Sequence, residues 1–149
     1  MINIFIAYAR EDVRHLKTFL TYVADIERDD VEFFNDQDIH PGHNWETTLL
    51  SRLNSAEIVV FLITPNFIGS KFCMDRELPV ALNRHSAGNC KILPLKVAPF
   101  VVRDSSPLRK FQWTPSGKPI TSRQGPALRH AWVEAAEAVR REVEALRVK

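Results

Sequence analysis

The sequence predicts an α/β domain: a mainly parallel sheet of about five strands with helices on both faces. Three observations predict it. Ile58-Val59-Val60-Phe61-Leu62-Ile63 is an unbroken apolar run rich in β-branched residues, the pattern of a strand buried on both faces. Short runs of this kind alternate with segments of helical spacing, the order of repeated β-α units. No internal repeat or linker interrupts the 149 residues, a length that suits one domain with a real core.

Each element has its own signal. Ile2 to Tyr8 is a short apolar run and reads as the first strand. Val13, Leu16, Phe19, Leu20, Val23 and Ile26 follow helical spacing. Val31-Glu32-Phe33-Phe34 is a short second strand, and Asn35 to Asn44 is a loop turning at Pro41-Gly42. Asn44 can cap a second helix, with Glu46 in its first turn and Trp45, Leu49, Leu50 and Leu53 on one side. Ile58 to Ile63 is the third and most central strand, and Cys90 to Val97 the fourth. From Ala98 to Gly125, four prolines and two glycines leave no assignable element beyond a weak fifth strand near Ile120. Pro126 opens a last helix as a first-turn proline, with an apolar face of Leu128, Ala131, Trp132, Ala135, Val139, Val143 and Leu146. That helix runs almost to Lys149, as expected of a single domain (1–149) cut from a longer protein.

Composition excludes several classes. Apolar residues make up 45% and charged residues 26%, ordinary for a globular domain. The net charge of +2 is spread along the chain, so no direct nucleic-acid partner is expected. No stretch approaches the roughly 18–20 apolar residues of a membrane span, and the N-terminus does not read as a signal peptide. Two cysteines, Cys73 and Cys90, form no disulfide framework and fit a reduced cytoplasm. The five histidines show no metal-ligand spacing; His40 and His43 fall in the Pro-Gly loop, and no metal is expected.

Ligands of open α/β sheets gather at the carboxyl ends of strands. After the third strand comes Ser70-Lys71-Phe72-Cys73-Met74-Asp75-Arg76-Glu77, where Pro79 forces one of two outcomes. It kinks a helix begun near Phe72, or it lies in the first turn of a helix begun near Leu78. Either way the backbone around Glu77 is irregular. Glu77 reads as an acid aimed into a cleft or as a solvated acid on a helix face. A sheet of this flavodoxin-like kind serves many functions. The third strand ends Thr64-Pro65-Asn66, without the aspartate of a phosphoacceptor. The first turn, Ala7 to Asp12, has no glycine, so a dinucleotide-binding Rossmann turn is excluded, and no P-loop or nucleophile elbow occurs. What remains is a cleft bounded by Tyr8-Ala9-Arg10, by Asn35-Asp36-Gln37-Asp38 with the loop to Trp45, and by Ser70 to Glu77. It suits a ligand with phosphates and a flat ring. Arg10 reads equally as a surface ion-pair partner of Glu11 or Asp12, and Trp45 as a core aromatic.

These segments resemble a TIR domain of the bacterial immune-effector kind, over nearly the whole chain. Ile4-Phe5-Ile6-Ala7-Tyr8-Ala9-Arg10-Glu11-Asp12 resembles its first box, with alanine where serine is common. Phe34 to Trp45 resembles the second box, Ile63 to Leu78 the third-strand segment, and Lys110 to Pro119 a later stretch of bacterial members. The resemblance implies cleavage of the nicotinamide–ribose bond of NAD, a substrate here and not a cofactor, giving ADP-ribose or a cyclised product. It puts the catalytic carboxylate on Glu77, with Asp75 the weaker rival. It puts an aromatic that stacks on a base at Trp45 and a nucleotide-facing cation at Arg10. Tyr8, Ala9, Asp36, Asp38 and Cys73 complete the implied substrate contacts. The spacing from Phe72 to Glu77 is one residue longer than in plant-like members. Members of this kind work as assemblies, so the implied partners are further TIR copies and a sensor domain, in an antiphage setting. The alternative is a scaffold that binds other TIR domains without turnover.

Overall fold

A computed structural model describes residues 1–148. The four strands are β1 (Ile2–Ala7), β2 (Val31–Phe34), β3 (Ile58–Ile63) and β4 (Lys91–Lys96). They form one parallel sheet in the order β2-β1-β3-β4. The five α-helices are α1 (Val13–Tyr22), α2 (Trp45–Ser55), α3 (Pro65–Gly69), α4 (Leu78–Ser86) and α5 (Gly125–Arg147).

Strand periodicity sorts the core into two layers. Ile4 and Ile6 of β1, with Ile58, Val60 and Leu62 of β3, face α1 and α5. Phe5 and Ala7, with Val59, Phe61 and Ile63, face α2 and α4. All six residues of β3 are buried, which is why its sequence shows no alternation. On α5 the buried residues Ala131, Trp132, Ala135, Ala136, Val139 and Val143 follow the helical repeat, and Trp132 stacks on Tyr22 at 6.2 Å.

Two expectations are corrected. The first helix stops at Tyr22; Val23 and Ile26 continue in a turn, from which Ile26 still packs on the core. The expected fifth strand does not form among the described residues. Ile120 lies on a short 3-10 turn, and the outer edge of β4 meets the chain at a single bridge, Leu95 to Thr114. Pro94 gives the reason. Thr114 donates to the Pro94 carbonyl and accepts from Lys96, so position 94 faces the outer edge, where proline has no N–H to offer. The Ala98–Gly125 stretch is instead tied by side chains: Phe100 stacks on Trp113 at 4.8 Å, and Arg109 donates to the carbonyls of Val102 and Arg103. No helix among the described residues is long and apolar enough to cross a membrane.

Candidate functional site

The carboxyl ends of β1, β2 and β3 open into a cavity of about 490 Å³, within the range that holds a small-molecule ligand. Three local structures furnish its walls.

The first is the turn after β1. Tyr8 is buried, and its hydroxyl donates to Asp36 Oδ1. Arg10 is exposed and lies over the Trp45 ring, 6.0 Å from its centroid. Asp12 starts α1 but does not cap it. Its carboxylate crosses the sheet end instead, accepting from Thr64 Oγ1 and, at 2.9 Å, from Asn66 Nδ2. Thr64 Oγ1 in turn accepts from the Phe67 N–H at the start of α3. A buried carboxylate thus joins the turn that carries Tyr8 and Arg10 to the segment leading into Ser70–Glu77.

The second wall follows β2. Asp36 opens a 3-10 turn (Asp36–Asp38) closed by a capping box: Asn35 Oδ1 accepts from Gln37 N–H, and Asp38 Oδ2 from Asn35 N–H at 3.1 Å. Asn44 then caps α2 through Thr47 N–H at 2.9 Å, as the sequence predicts. Trp45, 37% exposed, leans on Phe72 with ring centroids 4.7 Å apart. Arg76 pairs with Glu46 at 2.8 Å and ties this wall to the next.

The third wall is a single π-helical turn, Cys73–Glu77, running directly into α4. In an α-helix Pro79 would leave the Asp75 carbonyl without a donor and press its ring against it. Widening the preceding turn, with Leu78 N–H bonded to Cys73 C=O, accommodates the proline. Both sequence alternations are therefore partly realised: helix begins before Glu77, and Pro79 occupies the first turn of α4. Cys73 and Glu77, at the two ends of the π-helical turn, both line the cavity.

Glu77 is 3% exposed yet lines the cavity. Burial is the main cause that pushes its carboxyl up to about 8; the Cys73 thiol opposes the shift by hydrogen bonding, and the nearby Asp36 charge adds to it. The single thiol proton of Cys73 has two acceptors in reach, that carboxylate and the Tyr8 carbonyl at 3.6 Å. Burial first, and then the Glu77 charge, hold the thiol up at about 12, so it stays protonated and is no nucleophile. Tyr8 is raised by burial and by the Asp36 hydrogen bond.

Of the residues singled out from sequence, Tyr8, Arg10, Asp36, Trp45, Cys73 and Glu77 line this one cavity. Three do not. Ala9 is buried behind it, giving only its carbonyl to Asp12 N–H at 2.8 Å. Asp38 is spent on its capping box and faces a neighbouring cavity with His40 and His43. Asp75 is exposed and lines a separate cavity beside Val101 and Arg103. Sequence reasoning put Phe72 in the Ser70–Glu77 boundary without a role of its own, and missed Glu11 as a lining residue and Asp12 as the joint between walls. Phe72 stood one turn before Glu77 and was findable; nothing local marked Asp12. Among the described residues no three His, Cys, Asp or Glu side chains converge as metal ligands.

Comparison with known proteins agrees with this architecture. The chain is 28% identical over 146 residues to the uncharacterized protein y4lF of Sinorhizobium fredii, covering 94% of this chain and 43% of that protein. It is 32% identical over 74 residues to the disease resistance protein RBA1 of Arabidopsis thaliana, covering 49% of this chain and 20% of that protein. The chain thus spans less than half the length of these curated relatives. The TIR domain of the Toll-related receptor TRR-2 from Hydra magnipapillata superposes with a TM-score of 0.58 at 21% identity, over 74% of this chain and 80% of that one, a likeness of fold. The TIR domain family model matches residues 4–140, and the chain belongs to the TIR domain family.

Proposed function

We propose that this domain cleaves NAD between nicotinamide and ribose, with Glu77 as the catalytic carboxylate, and that it acts as the effector of a defence protein. One observation carries the reading. A carboxylate almost wholly buried reaches a cavity that also offers an aromatic pair, Trp45 and Phe72, and a cation, Arg10. Structural glutamates are rarely buried without a cationic partner. Nicotinamide leaves NAD as a neutral ring, so the leaving group needs no proton. The barrier is the positive charge that develops on the ribose, as in other glycosyl transfers. One desolvated carboxylate beside that carbon opposes the charge strongly. Trp45 supplies a stacking contact for the rest of the dinucleotide, and the cationic nicotinamide ring lowers the working pKa of Glu77 on binding.

The defence role extends to this chain what the name of the plant relative says of that protein. Activation by association with further TIR copies, driven by a sensor outside this domain, fits relatives that are more than twice as long as the matched region. Two free, buried cysteines suit the cytoplasm. The test is nicotinamide release by purified protein, with and without induced clustering. Glu77→Gln is expected to lower turnover by roughly 10²-fold or more, the scale of losing one preorganised electrostatic group. Activity equal to wild type would remove Glu77 from the mechanism.

A second reading is a scaffold that binds other TIR domains without turnover. It is favoured by the same elevated pKa, since a carboxyl raised to about 8 is mostly protonated at neutral pH in the empty cavity. No NAD consumption by clustered wild-type protein decides for the scaffold.

A further inference from the structure

We infer that Asp36 is a second catalytic carboxylate of this cavity, the group that takes the proton from the nucleophile attacking the ribose. The inference rests on the hydrolase reading above and adds a role to it. The cavity contains three carboxylates, Glu11, Asp36 and Glu77, against one cation, Arg10. Glu77 is buried, whereas Asp36 is half-buried on a turn fixed by the Asn35 capping box. The Tyr8 hydroxyl donates to Asp36 Oδ1. Asp36 Oδ2 takes no hydrogen bond among the described residues, so one oxygen is oriented and the other is open to a ligand or water. Tyr8 also joins the two acids: its hydroxyl holds Asp36, and its carbonyl accepts from the Cys73 thiol beside Glu77.

Two carboxylates in environments this different divide acid–base labour. A Glu77 that accepted the proton of the nucleophile would lose the charge that opposes the ribosyl cation at the moment it is needed. Asp36 carries no such conflict, and its partial exposure lets it return the proton to solvent. In the step, the C1′–N bond breaks with both electrons leaving on nicotinamide. A water lone pair forms the new C1′–O bond, and the proton of that water passes to Asp36 Oδ2. The products are nicotinamide, ADP-ribose and, from Asp36, one proton released.

The test uses two nucleophiles. Water must lose a proton on attack, and a pyridine base such as 3-acetylpyridine has none to lose. Clustered protein is given NAD with 3-acetylpyridine, and ADP-ribose and the exchanged dinucleotide are quantified together. Asp36→Asn is expected to lower ADP-ribose formation by roughly 10²-fold, the general-base scale, while exchange falls by no more than about threefold. Tyr8→Phe, which frees Asp36 without removing it, is expected to shift the product ratio the same way by a smaller factor. It tests the idea even if Asp36→Asn does not fold. Equal loss of both products in both variants, or no change in their ratio, overturns the inference and leaves the hydrolase reading intact. Wild-type protein that makes neither product overturns both.

Discussion

Of the three walls of this cavity, the two that carry Glu77 and Asp36 are built in opposite ways. Glu77 is buried, as are its neighbours Cys73 and Leu78, and it still lines the cavity. Asp36 and Trp45 sit on a half-exposed rim, held by the Asn35 box, the Tyr8 hydroxyl and the Asn44 cap. The Glu77 wall is fixed by burial; the Asp36 wall is fixed by hydrogen bonds worth about 1 kcal/mol each. On the hydrolase reading, the acid that works away from water is placed where packing holds it. The groups that must admit a ligand are placed where little has to break for them to move.

The largest effect expected of this contrast is a stability gain. Burial raises the Glu77 carboxyl from 4.5 to about 8, so its favourable contribution is complete below the unfolded value and is lost as pH rises through about 8. Glu77→Gln removes the ionisable group, and above pH 8 it is expected to be more stable than wild type by on the order of 4 kcal/mol. Urea midpoints at pH 5, 7 and 9 measure this. Identical pH dependence in the two proteins would mean that Glu77 is solvated and that the fixed wall does not exist. For the wild type, kcat/KM should rise with pH along a limb near 8, since this quantity reports the free enzyme.

Next comes the joint between the turn after β1 and the segment that leads into the Glu77 wall. Asp12→Asn puts an amide where two donors, Thr64 and Asn66, now converge on a carboxylate. It is expected to cost about 2 kcal/mol, the scale of one unsatisfied buried polar group. Thermal unfolding measures the loss. A neutral result would mean that the two sheet-end segments are positioned independently.

The fixed wall was the more legible of the two in the sequence. Six apolar residues in a row locate β3, and Pro79 marks the irregular backbone that takes the form of a π turn. Glu77, Tyr8, Arg10, Trp45 and Cys73 line one cavity and fall in the segments that carry the resemblance to the family. What stayed hidden depended on contacts between distant segments. Asp12 bonds residues 52 and 54 positions away, which no local pattern encodes. Asp38 looked like a cleft acid because sequence cannot show that its carboxylate is consumed by a cap three residues back. The absent fifth strand was misread for a related reason: the outward direction of Pro94 is a property of register.

On the rim, Trp45→Ala tests binding without stability. The ring is 37% exposed and its main partner is Phe72, so little folding energy is at stake. Stacking on a base is worth roughly 1–3 kcal/mol, so KM for NAD is expected to rise about tenfold with kcat nearly unchanged. A fall in kcat with unaltered KM would place Trp45 in the chemistry and make the rim part of the fixed wall.

The smallest effect is the most exacting for the comparison. Asn44→Ala removes the bond to Thr47 N–H at the start of α2 and leaves every residue that lines the cavity in place. Loss of such a cap costs about 1 kcal/mol, a fall in Tm of roughly 2–4 °C for a chain of this size. If the walls are independent, the added looseness stays in the rim: KM rises modestly, and the limb of the pH profile set by Glu77 does not move. A shifted limb would show that the cap of α2 reaches the buried acid, with the Arg76–Glu46 pair as the physical link between the walls. Repeating the profile in Arg76→Ala then separates the two cases, because an exposed pair contributes little to stability by itself and can move that limb only by acting as the link.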